Sequence, residues 1–378
     1  MNFELTEDQR EVQALARKII EDYCSNEQLR AFDKGERFDE ALWQELAKAG
    51  LLGIAIEEQY GGMGFDFETL CLLVEEVGRC VAPLPVVSSL VLATLMVQRF
   101  ADADLKTKIL PDVASGKSLL IAALSETDDG GVFPSTMQAI KTDSGWQLDG
   151  EKHFVPFASR AQMLLLSART ETGVALYLLP ADSKGVSMQQ HTSTAGENQY
   201  SLSLQSVELG PEQCLLSGEK AQTALIEINN LGVAASCAQM LGICDVMLRT
   251  TAAYTSEREQ FGVKVATFQA VGQRAADSYI DVECLKLVTQ KAIYAVEHES
   301  PKEALSACLV AKIWAGDAGH RVSHAAQHLH GGMGVDRDYS LWRYCLWAKQ
   351  LELTLGNSAE LTEQLGAEIA SEFKMAVS

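Results

Sequence analysis

An α+β fold, helical at both ends with a mostly antiparallel β domain between, is what the 378-residue sequence predicts. Three observations predict it. Apolar residues recur at helical spacing up to about residue 118 and again from about 218. Between these stretches, glycines punctuate short apolar runs, and one segment alternates with period two. A helix-capping signature opens each helical part's clearest helix. The domains expected are therefore 1–118, 119–217 and 218–378.

Each element has its own reason. Thr6-Glu7-Asp8-Gln9 has the form of a capping box ahead of Val12, Leu15 and Ile19. Trp43, Leu46, Leu51 and Leu52 continue the helical period. Gly61-Gly62-Met63-Gly64 reads as a loop, with no Lys-Ser/Thr after it to make a phosphate loop, and a helix resumes over 67–79. Leu119–Ala123, Met163–Leu166 and Val174–Leu179 read as short strands, set off by Gly145, Gly150, Gly173 and Gly185. Tyr200–Gln205 alternates as a half-buried strand does. Ser300-Pro301-Lys302-Glu303 places an N-cap, an N1 proline and an N3 glutamate together. Internal repeats and low-complexity segments are absent.

Composition narrows the function. The chain is 47% hydrophobic, enough for a large core or two to three domains. A net charge of −20 argues against nucleic acid and against an anionic membrane surface. No window approaches 18 uninterrupted apolar residues, so no membrane span is expected. Met1-Asn2-Phe3-Glu4-Leu5 lacks the basic and apolar regions of a signal peptide. The nine cysteines, among them Cys71, Cys80, Cys237, Cys244, Cys284 and Cys308, form no C-x-x-C pair. Reduced, buried thiols and a cytoplasmic location are the expectation.

Several constellations could carry chemistry. His320, His324 and His328 recur every four residues, with His330 just beyond. On a helix they form one stripe, but no acidic ligand lies between them, so a polar stripe at a helix or subunit contact is favoured over a metal site. Ser217-Gly218-Glu219-Lys220 matches Ser-x-x-Lys, yet its Ser-Asp-Asn and Lys-Thr-Gly companions are missing. His330-Gly331-Gly332 shares its glycines with a lipase oxyanion loop, without any Gly-x-Ser-x-Gly. No Gly-x-Gly-x-x-Gly supports a nicotinamide site. In Glu257-Arg258-Glu259-Gln260-Phe261-Gly262 an arginine and an aromatic could pair a phosphate and stack an adenine; a charged helix terminus is the plainer reading.

Taken in order, these pieces resemble the acyl-CoA dehydrogenases. His330-Gly331-Gly332-Met333-Gly334 through Asp338-Tyr339, Arg343-Tyr344 and Ala348-Lys349 to Leu353-Thr354-Leu355-Gly356 is similar to the family's C-terminal signature. Leu5–Arg10, Leu51-Leu52-Gly53, Tyr60–Gly64, Glu75–Arg79, Leu148–Lys152, Arg258–Gly262 and Phe268-Gln269-Ala270 match further motifs across about 350 residues. The resemblance implies an N-terminal helical domain, a middle β-barrel-like domain and a C-terminal four-helix bundle that builds a dimer or tetramer. It implies FAD, an acyl-CoA substrate and an electron-transfer flavoprotein as acceptor. In such enzymes a carboxylate takes the α-proton of a polarised thioester and the β-hydride passes to the flavin.

By the same resemblance the FAD contacts are Ser125, Phe154, Arg258, Gln260, Phe261, Gln269, His328, Gly331 and Gly332. The departures are patterned. The glutamate expected before Gly356 is Leu355, and the family's alternative base position is Gly232, with Asn229 and Asn230 before it and Glu227 out of register. The flavin-ring motifs read Ser125-Glu126-Thr127-Asp128-Asp129-Gly130-Gly131 and Phe154-Val155-Pro156, where Pro156 has neither hydroxyl nor N–H. Adenosine-end residues are better kept. No residue of the chain is thus assigned a catalytic role, and the sequence resembles the non-catalytic subunit of heteromeric acyl-CoA dehydrogenases that act on steroid side chains. Asp336–Tyr339 and Trp347–Lys349 are similar in wording to that subgroup. A self-sufficient homo-oligomer using a displaced base such as Glu352, and a flavin-free acyl-CoA-binding scaffold, are the other readings.

Overall fold

The computed structural model describes residues 3–33, 37–126 and 135–377. In chain order it runs α1 (Glu7–Tyr23), α2 (Asn26–Ala31), α3 (Glu40–Lys48), α4 (Phe67–Cys80), a π-helical stretch (Val87–Thr94), α5 (Leu95–Phe100) and α6 (Ala103–Ala114). Strands follow: β1 (Leu120–Ala123), β2 (Gln138–Thr142), β3 (Gly145–Pro156), β4 (Met163–Thr170), β5 (Gly173–Pro180), β6 (Val186–Thr192), β7 (Asn198–Leu209) and β8 (Cys214–Ser217). Then come α7 (Glu219–Glu257), the ribbon β9 (Glu259–Gln260) and β10 (Val263–Lys264), α8 (Gln269–His298), α9 (Pro301–His330), α10 (Leu341–Leu353) and α11 (Ser358–Val377). The order is helical, then sheet, then helical, as the sequence predicts.

Two compact units form, each from segments distant in the chain. One comprises Met1–Ala31, Cys71–Ala82 and Val233–Ser378. Its helices form where the sequence signals them. At α1 the Thr6 hydroxyl accepts from Gln9 N–H at 3.2 Å while the Gln9 side chain accepts from Thr6 N–H at 3.0 Å. Val12, Ala16 and Ile20 then make one buried stripe. The Ser300–Glu303 box opens α9, which packs against α8, α10 and α11. Its buried face is mostly small (Ala304, Cys308, Ala311, Ala315, Ala318), so neighbouring backbones approach closely.

The other unit comprises Phe32–Leu70 and Pro83–Gly232 and holds the sheet. Its strand order is β6-β7-β3-β2-β4-β5-β8, with β1 beside β4. Most pairs are antiparallel; β1–β4 and β2–β4 are parallel. On β7, Tyr200, Leu202 and Leu204 point into the core and Ser201 and Ser203 point away.

One helix bears on the expectation of no membrane span. By length and composition α7 could cross a membrane. Burial explains its composition: 83% of its most apolar window is inside the protein, as in a core helix. The ribbon at 259–264 was not foreseen within the C-terminal helical region. All nine cysteines are free thiols.

Candidate functional site

Consider first the residues expected at a flavin ring. The Ser125 carbonyl accepts from His153 N–H at 2.9 Å, which ties the end of the β1 segment to β3. Thr127 to Gly131 lie outside the described residues. Glu126 turns inward. Its carboxylate takes hydrogen bonds from Lys152 Nζ, Ser135 Oγ at 3.0 Å and Met137 N–H at 3.4 Å. Lys152 is fully buried and also reaches Ser167 Oγ at 3.1 Å and the Leu124 carbonyl at 3.4 Å. Burial pushes the Glu126 carboxyl upward; the Lys152 charge and the Thr136 hydrogen bonds outweigh it, so the group ionises below its ordinary range. This buried pair was not legible in the sequence, because nothing local tells that a lysine on the inward phase of β3 meets a carboxylate 26 residues earlier.

That bulge also sets Phe154. β3 pairs Lys152 with Leu202 and Val155 with Tyr200, so two residues face one. Phe154 takes φ +54° and is 60% exposed, while Val155 is buried. The face thus offers an aromatic ring. Pro156 supplies no donor beside it.

The adenosine-end candidates stand on the other unit. Arg258 precedes the β9–β10 ribbon and Gln260 ends β9, and both are exposed. Phe261 (φ +58°) and Gly262 (φ +81°) form its two-residue turn, as the right-handed twist of paired strands favours. Phe261 is 93% exposed, with Phe268 edge-on at 6.3 Å. Gln269 opens α8, where no side chain caps the helix start. At the end of α9, Gly331 adopts φ +58°, and a Cβ at Gly331 or Gly332 would meet nothing within 4 Å. His330 anchors this turn: its ring bonds the Ala326 carbonyl at 2.8 Å and the Tyr339 hydroxyl at 3.2 Å and stacks on Tyr254 at 4.3 Å. His328 is exposed, as are His320 and His324. Among the described residues no group of three His, Cys, Asp or Glu is placed to hold a metal ion.

The two positions at which the resemblance expects a base, 355 and 232, hold leucine and glycine. Leu355 is half-buried at φ +60°, a left-handed conformation that leucine rarely adopts. Lys312 holds that turn: its buried ammonium donates to the carbonyls of Leu351 (2.9 Å), Glu352 (3.2 Å) and Gly356 (3.0 Å). Sequence reasoning missed Lys312, whose only signal is a lysine on the apolar stripe of α9. Glu352 is committed elsewhere, to Lys349 and to His320 at 3.5 Å. Glu227 is paired with Arg99. Gly232 lies buried on α7, after the buried Asn229 and Asn230.

Sequence models of the acyl-CoA dehydrogenase N-terminal, middle and C-terminal domains match residues 6–117, 122–209 and 226–370. The chain belongs to the acyl-CoA dehydrogenase family, oxidoreductases that act on CH–CH bonds with FAD as cofactor. It is similar to acyl-CoA dehydrogenase FadE27 of Mycobacterium tuberculosis, at 33% identity over 377 residues, covering 98% of this chain and 99% of the relative. Among solved structures, a chain of the ChsE4–ChsE5 complex from Mycobacterium tuberculosis superposes with TM-score 0.91 at 33% identity, covering 98% of this chain and 99% of that one. A variant of the Tcur3481–Tcur3483 steroid ACAD gives TM-score 0.89 at 38% identity, with the same coverage.

The residues present fit FAD unequally. An uncapped helix start, an open glycine turn and an exposed aromatic ring suit a pyrophosphate and an adenine. At Phe154-Val155-Pro156 the ring-facing end keeps an aromatic but loses a donor.

Proposed function

We propose that this chain is the partner subunit of a heteromeric acyl-CoA dehydrogenase, lacking the base and serving FAD held with another polypeptide. One observation carries the reading: Leu355 occupies the base position while Lys312 keeps the surrounding turn in place. Both solved relatives described above come from pairs of unlike chains by their names, and one is a steroid ACAD. That supports an unlike partner and a bulky acyl-CoA of the steroid side-chain type.

When bound, FAD supplies the hydride acceptor. The proposed task of this chain is to hold the cofactor's far end. Arg258 and the first N–H groups of α8 with Gln269 receive the pyrophosphate, Phe261 stacks the adenine, and Gly331, Gly332 and His328 leave room for the backbone to approach. Ser125 and Phe154 border a place where no dehydrogenation is completed by this chain's own groups. The partner supplies the carboxylate, and an electron-transfer flavoprotein takes the electrons.

A second reading, a self-sufficient enzyme using Glu352, is disfavoured by the Lys349 and His320 contacts of that carboxylate. Purification of the tagged chain from its native host tests both. A co-purifying acyl-CoA dehydrogenase-family polypeptide, needed for flavin and turnover, is the expected result. A homo-oligomer with full turnover that is lost in Glu352→Gln would overturn the proposal.

A further inference from the structure

On the outward face of the sheet, three side chains that the dehydrogenase reading does not use form one hydrogen-bonded chain, with a fourth, a carboxylate, close by. Ser201, on β7, lies between two imidazoles: His153 Nδ1 of β3 is 2.7 Å from its Oγ, and His191 Nε2 of β6 is also 2.7 Å from it. His153 Nε2 is 3.4 Å from the Glu151 carboxylate. The placement follows from the bulge in β3. Because Lys152 pairs with Leu202 and Val155 with Tyr200, His153 and Phe154 together oppose Ser201, and the extra residue swings the imidazole onto the hydroxyl. His191 reaches it diagonally, since Ser201 pairs with Gln189 on β6.

The proton count fixes the direction of this chain. A hydroxyl has one proton, so it donates to one imidazole and accepts from the other. The Glu151 carboxylate, 3.4 Å from Nε2, favours the tautomer with its proton there and the Nδ1 lone pair facing Ser201. In that tautomer Ser201 donates to His153 and accepts from His191 Nε2–H. Nucleophile, base and orienting carboxylate stand in the order that activates a hydroxyl, a constellation known by its geometry and not by its fold.

We propose that Ser201 is a nucleophile that takes an acyl group from activated esters and thioesters, separate from the dehydrogenase chemistry of the family. Ser201 Oγ bonds to the acyl carbon as the bond from that carbon to the alkoxide or thiolate breaks. The hydroxyl proton passes to His153 Nδ1 and from there to the leaving group. Water then releases the acid by the same steps, with His153 as base again. The plainer alternative is a cross-strand polar ladder on a wet sheet face, which would hold the same distances without reacting.

The test uses the full chain with p-nitrophenyl acetate and, separately, acetyl-CoA. The expected result is a burst of nitrophenolate not exceeding one per chain, with one acetyl group mapped by peptide mass to the peptide containing Ser201. The rate of labelling falls about a hundredfold in His153→Ala. Ser201→Cys guards against a folding defect in Ser201→Ala: its thiol is alkylated by iodoacetamide faster with His153 present than in the His153→Ala background. Labelling on lysines or histidines alone, labelling unaffected by His153→Ala, or no labelling would each overturn the proposal.

Discussion

Lys312 shows how one side chain can hold a turn from below. Three carbonyls at the end of α10 converge on its ammonium. Burial drives its pKa down from the usual lysine value, with the neighbouring Cys237 and Glu352 groups opposing the fall. Lys312→Met leaves those carbonyls without their donor, and we expect a loss of about 2–4 kcal/mol in urea denaturation. Glu126 is the corresponding case in the sheet unit. Glu126→Gln breaks its pair with Lys152 and leaves a buried ammonium facing a neutral amide, which should cost about 3–5 kcal/mol. Neither role could be read from the sequence. A lysine on an apolar stripe declares its partner only when the facing carbonyls are known. Leu355, by contrast, is an identity at a motif position, and the sequence alone raises it where the resemblance expects a glutamate.

At the level of elements, α4 and α7 meet through glycines. A Cβ at Gly78 would come within 2.2 Å of the Gln239 carbonyl, and one at Gly242 within 2.2 Å of the Glu75 carbonyl. Gly78→Ala forces these backbones apart, and we expect about 1–3 kcal/mol of destabilisation in thermal or urea melts. The same contact buries Glu75. Desolvation, then the neighbouring Glu76 charge, raises its pKa to about 7, against the pull of Arg79 and Arg17 and with Asp245 adding to the rise. The folded state thus holds a proton that the unfolded state releases above about 4.5. Stability from this group is complete below pH 4.5 and falls as pH rises toward 7, at up to about 1.4 kcal/mol per pH unit. Glu75→Gln should flatten that slope in urea titrations run across the window; an unchanged slope would contradict the assignment. The caps at Thr6 and Ser300 were legible because capping is local chemistry. The 259–264 ribbon was not, since its strands are two residues each and its turn places a phenylalanine at φ +58° where glycine or asparagine is usual.

For the molecule as a whole, a surface of net charge −20 leaves few places for a polyanionic ligand, and the exposed Arg258–Phe261 ribbon is one of them. Phe261 is 93% exposed, so Phe261→Ala should change the stability of the chain by less than about 0.5 kcal/mol. In the proposed complex the same substitution removes an adenine stacking surface and should lower flavin retention about tenfold, measured by dilution and gel filtration. Loss of stability without loss of flavin would assign Phe261 to packing.

The most direct measurement of the central claim is the flavin-to-protein ratio of the chain purified alone, read from its visible absorption. The partner-subunit account predicts a ratio near zero, rising toward occupancy only when the catalytic subunit is co-expressed. A ratio near one for the chain alone would contradict it, because the residues at Phe154-Val155-Pro156 would then be completing a flavin site without help.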